Sequence, residues 1–197
     1  IVNDVLRVPA FWFSALSFGV CGFHIAFVTT HMPGVIERCG LSPSLAGLWL
    51  AVLGAANIAG SLAAGVLLKR LSTQAFLMGV FSLRAISIVL LLALPISPTV
   101  MLGIAILMGL SYMALLPAIS LQVGERFGTE RLATIFGVVA LVHQIGSFAG
   151  AWLGGLVAEA TGRDTLTWSI DIGLALLAIA FQWRLARPQS SRATKAM

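Results

Sequence analysis

Six long apolar stretches, nearly free of charge, fill most of this chain, at about residues 10–31, 44–68, 74–95, 99–122, 132–158 and 166–185. Each is about 20 residues or more, so a helix rising about 1.5 Å per residue would cross a hydrocarbon layer roughly 30 Å thick. Inside that layer no water is at hand to bond exposed amides, and a helix satisfies its own. The fold expected is therefore all-α, a bundle of six transmembrane helices. Charged residues make up 10% of the chain, against about 25% in soluble domains. The first stretch is too long for a signal peptide, lacks a small-residue cleavage site and is followed by five more.

The domain reading is simple. Residues 1–9 form a cytoplasmic linker, 10–186 the six-helix domain and 187–197 a basic tail. The first residues, Ile1-Val2-Asn3-Asp4, lack an initiator Met, which is expected of a piece of a larger protein or of a processed one.

A net charge of +5 would suggest nucleic acid in a soluble protein, but its distribution here argues for topology. Arg7, Lys69, Arg70, Arg126, Arg131, Arg184, Arg187, Arg192 and Lys195 gather at one set of helix ends, Arg38 and Arg163 at the other. The positive-inside rule then places both termini in the cytoplasm of a cell whose inner (plasma) membrane holds the protein. Cys21 falls in mid-span and Cys39 in the first outer loop, too far apart in depth for a bridge, so two free thiols with no redox or metal role are expected.

Turn chemistry fills the gaps. Pro33-Gly34 and Gly40 to Pro43 bound the longest outer loop, Pro95 and Pro98 bracket a short one, and Gly162 sits in another. Trp12 and Trp183 fall near the inner interface, Trp49 and Trp168 near the outer, as in an aromatic belt. Pro117, inside the fourth span, should kink that helix and free a carbonyl that must find another partner.

Small residues recur four apart in two spans: Ala56, Gly60 and Ala64 in the second, Gly146, Gly150 and Gly154 in the fifth. Such stripes let helix backbones approach closely. Gly60-Ser61-Leu62-Ala63-Ala64 also echoes Gly146-Ser147-Phe148-Ala149-Gly150 at an offset of 86. That offset roughly carries the first three spans onto the last three. An odd number of spans per unit gives the two units opposite topology, the inverted repeat of secondary transporters.

Polar groups within the apolar stretches are costly and need a reason. His24, Asn57, Ser111, Tyr112, His143 and Gln144 fall near mid-depth in the first, second, fourth and fifth spans, and together suggest the wall of a polar cavity. His24 and His143 titrate in a range that would suit proton coupling, although no carboxylate shares their depth in those four spans. Arg84 lies near the midplane of the third span. It is either an anion-binding group for a carboxylate substrate or a structural ion pair with Asp171 of the sixth. Glu125, Arg126, Glu130 and Arg131 form a solvated or gate-like cluster in an inner loop.

An intramembrane serine protease would want Gly-x-Ser-Gly, but Gly60-Ser61 is followed by Leu62. A metalloprotease would want His-Glu-x-x-His, which is absent, as are the charged rings of a channel filter. No catalytic residue, metal ligand or cofactor is assigned.

With Phe11–Pro33 (holding Cys-Gly-Phe-His and Thr-His-Met-Pro), Asn57–Gly65, Phe127–Gly137 and His143–Gly155, the chain resembles the C-terminal six-helix half of a major facilitator superfamily transporter. It is most similar to bacterial members of the monocarboxylate-transporter-like group. The resemblance implies alternating access for a small solute, an organic anion such as a monocarboxylate first and a drug or neutral metabolite second. It also implies a missing N-terminal half, or a second copy, as partner within the bilayer. Cavity-lining helices would be the first, second, fourth and fifth, with the third and sixth, and so Arg84 and Asp171, packed outside. The second and fifth would face the partner half with their small-residue stripes. The inner-loop gate motif of the superfamily, Gly-x-x-x-Asp-Arg-x-Gly-Arg-Arg, is kept only at Gly65 and Arg70. The Asp and Arg pair expected in the eighth helix of proton-coupled monocarboxylate carriers is absent from the second span.

Overall fold

The computed structural model describes residues 2–161 and 164–187, and these are helical almost throughout. The helices are α1 (Val2–Leu6), α2 (Pro9–Arg38), α3 (Pro43–Leu67), α4 (Thr73–Ala93), α5 (Pro98–Tyr112), α6 (Leu115–Phe127), α7 (Leu132–Thr161) and α8 (Asp164–Ala186). Six spans result, because α5 and α6 together make the fourth. The expected turn residue Gly162, the outer charge Arg163 and the tail beyond residue 187 lie outside the described residues.

The starts are written locally. Pro9, Pro43 and Pro98 open α2, α3 and α5, where a missing amide costs no hydrogen bond. Ser72 and Ser97 cap α4 and α5 by accepting from the Ala75 and Val100 amides, both at 3.3 Å. Gly128 ends α6 with φ +86°, a conformation that glycine adopts without strain.

The first span corrects the sequence reading. It does not stop at His31 but runs through Pro33-Gly34 to Arg38. Met32, Val35 and Ile36 are buried in a cluster with Leu45, Trp49 and Met101. The close packing of these side chains against α3 and α5 keeps the helix going past an internal proline that alone costs roughly 3 kcal/mol.

The packing carries the repeat. α2 lies chiefly against α7, α3 against α5, and α4 against α8. Exchanging the first three spans for the last three turns the first pairing into the second and leaves the third unchanged, as an inverted repeat requires. The small-residue stripes make these two pairings. A Cβ on Gly60 would strike the Leu110 carbonyl, one on Gly146 the Gly19 carbonyl and one on Gly150 the Phe23 carbonyl. The expectation that the stripes face a missing partner is thereby corrected: they are spent inside this bundle. The faces of α3 and α7 left open carry large side chains instead, Ile58, Leu62, Leu141, Ile145, Phe148 and Trp152 among them.

Of the four tryptophans expected at the two interfaces, two are exposed and two buried. Trp12 and Trp183 are exposed, Trp12 donating to the Leu6 carbonyl at 2.8 Å and Trp183 stacking under the Arg187 guanidinium. Trp49 and Trp168 are buried, Trp168 edge-on to Phe27 with centroids 4.6 Å apart. They act as core anchors because the long α2 provides an apolar wall for them at this level.

Candidate functional site

The fourth span is broken at Met113-Ala114, between α5 and α6. Pro117 explains the position: it has no amide to offer the Met113 carbonyl four residues back, and its ring crowds that turn. The Met113 carbonyl accepts from the Leu116 amide at 3.2 Å instead. Two further carbonyls at the break are taken by Arg84, whose Nη2 donates to Ser111 at 2.8 Å and to Tyr112 at 3.0 Å. Asn57 of α3 accepts the Met113 amide through Oδ1 at 3.0 Å. The carbonyl freed by Pro117 thus finds its partner locally, in the Leu116 amide, and an arginine from the third span serves the two carbonyls before it.

Arg84 thus has a structural role, though not the one expected. Among the described residues it makes no ion pair with Asp171; His24 stands there, its Nε2 3.0 Å from Asp171 Oδ1 and 3.1 Å from the Asp171 carbonyl. The guanidinium is committed to the break, and the side chain that meets Asp171 is His24 of α2. The expectation that Arg84 and Asp171 pack outside is corrected with it. Their helices do pair behind the bundle, but both side chains are buried and line a small cavity shared with His24, Ser111 and Tyr112.

On the other side of Tyr112 lies a larger, open cavity of about 290 Å³. Its polar lining is Tyr112, His143, Gln144 and Cys21, and Met113 and Phe136 are among its apolar walls. His143 Nδ1 donates to Gln144 Oε1 at 3.0 Å, and the His143 ring packs on Phe18 with centroids 4.3 Å apart. The Tyr112 hydroxyl reaches the Ile25 carbonyl at 3.4 Å, so its ring stands between the two cavities.

The six residues read as a cavity wall are therefore sorted. Tyr112, His143 and Gln144 line the open cavity, and Tyr112 also borders the small one with His24 and Ser111. Asn57 touches neither in its lining and instead fastens the break. Sequence reasoning missed Cys21 and Met113. Cys21 lies one helical turn before His24, a spacing that keeps it near the same face; Met113 could have been found only from the break.

Gly65 and Arg70 lie at the C-terminal end of α3 and are exposed, and a Cβ on Gly65 would meet nothing within 4 Å. The polar contacts at this end come from other residues. Thr73 donates to Glu125 at 3.2 Å, Arg126 donates to the Leu185 carbonyl at 2.7 Å, and Gln122 donates to Gln182 at 2.7 Å within the core.

A broken membrane helix fastened by polar side chains beside an open cavity is a transporter's geometry, and comparison with known proteins agrees. The family model for the Major Facilitator Superfamily matches residues 1–151. The chain belongs to the Major Facilitator Superfamily. A relative in Bacillus subtilis (strain 168), described as the uncharacterized MFS-type transporter YcxA, is 29% identical over 154 residues. That alignment covers 74% of this chain and 37% of the relative, so the chain spans well under two thirds of the relative's length. Superfamily membership makes this a multi-pass membrane protein of a transporter family, not an enzyme.

Proposed function

We propose that the chain is the C-terminal half of a secondary active transporter that moves a small organic anion, such as a monocarboxylate, by alternating access. It would sit in the inner membrane with both ends cytoplasmic, and its partner would be an N-terminal six-helix half. The observation that carries the reading is the open cavity at Tyr112, His143 and Gln144. Its volume, about 290 Å³, is of the order of a small-molecule site, roughly 300 Å³ upward. Its lining is mostly apolar and holds no carboxylate; Gln144 Nε2 and the second ring nitrogen of His143 are the side-chain nitrogens there not named in the hydrogen bonds above, and they could meet an anionic group. The unpartnered apolar faces of α3 and α7 support a second bundle beside this one.

Uptake of labelled lactate and pyruvate into proteoliposomes holding the full-length transporter tests this, with a neutral metabolite and a hydrophobic cationic drug as competitors. Saturable carboxylate uptake that falls at least tenfold in His143→Ala supports the reading. Saturable uptake of the neutral solute or the drug alone would replace it.

A further inference from the structure

A groove of about 290 Å³ runs between α2, α7 and α8, and no polar side chain lines it. The glycine contact of α2 with α7 leaves it there. Gly19 and Gly146 let those two helices touch, while α8 packs chiefly on α4 and secondarily on α2. A fissure remains, with α2 as its floor and α7 and α8 as its walls. The floor is Leu16, Gly19, Val20 and Phe23, whereas the open cavity at Tyr112 takes Phe18, Cys21 and Ile25 from the same helix. These are opposite faces of α2 at about 100° per residue, so the groove lies away from the cavity proposed for the solute.

Both sides of the groove run on into the residues of a membrane interface. Residues three or four apart share a helix face. Trp12, exposed, lies one turn before Leu16. On α8, Leu177 and Phe181 line the wall, and Arg184, exposed, follows one turn later. Phe13 stacks on Phe181 with centroids 5.4 Å apart, which sets the two stripes at one level. Arg7 and Arg187 are exposed at the same ends of α2 and α8, and the Arg187 guanidinium lies 3.5 Å over the Trp183 ring. Asp4 of α1 is the acidic residue nearest Arg7 in sequence, so three positive charges stand with one negative.

We propose that this groove binds one anionic phospholipid, with an acyl chain lying on Gly19 and Val20 and the phosphate held by Arg184, beside Arg7 and Arg187. The residues follow the order of such a lipid, an aliphatic trough, then an indole at headgroup level, then guanidinium groups whose fork matches a phosphate. Trp12 to Phe23 spans roughly 16 Å at about 1.5 Å per residue, about half of a hydrocarbon core roughly 30 Å thick, which is the reach of a chain in one leaflet. The net positive charge selects an anionic headgroup over a zwitterionic one. A helix of a second bundle lying on α7 would meet the apolar walls but gives no reason for arginines at their end.

Native mass spectrometry of the full-length transporter, released from detergent with phosphatidylglycerol or phosphatidylcholine added, tests this. The expected result is one phosphatidylglycerol bound more tightly than any phosphatidylcholine. Arg184→Gln and Arg187→Gln should each weaken it about fivefold, the size of one basic residue's attraction to anionic lipid. Leu177→Trp, which fills the groove, should weaken it as well. Lys69→Gln, exposed beyond α3, and Leu176→Trp, exposed on α8 outside the groove, should leave it unchanged. Equal binding of the two lipids, or loss in neither arginine variant, overturns the headgroup site. Tight phosphatidylglycerol binding untouched by Leu177→Trp overturns the groove as the place of the chain. No tightly held lipid in the full-length protein, as when a second bundle covers the groove, overturns both.

Discussion

Arg84 donates to the Ser111 carbonyl across 2.8 Å, from the third span into the break of the fourth. With its second bond to Tyr112 it supplies hydrogens that the interrupted helix does not. This makes the arginine and Pro117 two halves of one feature. Arg84→Gln should lower stability by about 2–4 kcal/mol, since an unsatisfied buried carbonyl costs roughly 1–3 kcal/mol. Arg84→Gln with Pro117→Ala should recover part of that loss, because an uninterrupted helix can bond the same carbonyls internally. Thermal unfolding of detergent-solubilised protein measures both. Equal stability of the single and double variants would refute the linkage.

Asn57 holds the opposite side of the break through the Met113 amide. Asn57→Leu removes that acceptor and should cost about 1–2 kcal/mol. Asn57→Asp keeps an acceptor oxygen and should cost less by the same unfolding assay. A reversed order would show that shape, not the hydrogen bond, matters at this position.

The glycine stripe of α7 predicts a sharp contrast. Gly146→Ala drives a methyl group into the Gly19 carbonyl, and the backbone of α2 must move to admit it. Overpacking of this kind costs about 1–3 kcal/mol or more. Gly65→Ala meets open space and should leave the unfolding temperature unchanged or slightly higher, alanine being the better helix former.

Cys39 is exposed at the end of α2 and Cys21 is buried. A membrane-impermeant maleimide applied to intact cells should label Cys39 and leave Cys21 unreacted. Cys39 labelled only after the cells are opened would reverse the proposed orientation.

The sequence made the six spans, the inverted repeat and the kink at Pro117 readable, because span length, small-residue spacing and proline chemistry act locally. The end of the first span was not readable, since the burial of Met32 and Ile36 that carries the helix past Pro33 is tertiary. Polar residues were found by their depth, but depth is one coordinate. Which way Arg84 and Asp171 turn depends on the pairing of α4 with α8, and that sets His24, rather than Arg84, against Asp171. The stripes of α3 and α7 were read correctly as contact faces. Their partners inside the bundle, α5 and α2, appear only in the packed structure.

Water access to the open cavity decides whether the Tyr112–His143–Gln144 wall borders a solute pathway. Single cysteines placed at Gln144, which lines the cavity, and at Leu176, exposed on α8, can be compared in a Cys21→Ser, Cys39→Ser background in membranes. Gln144→Cys should react rapidly with a small charged thiol reagent and Leu176→Cys at least tenfold more slowly, because on the proposed function the first lines a watered pathway and the second meets lipid. Equal inertness at the two positions would contradict the assignment of the Tyr112–His143–Gln144 wall to a solute pathway.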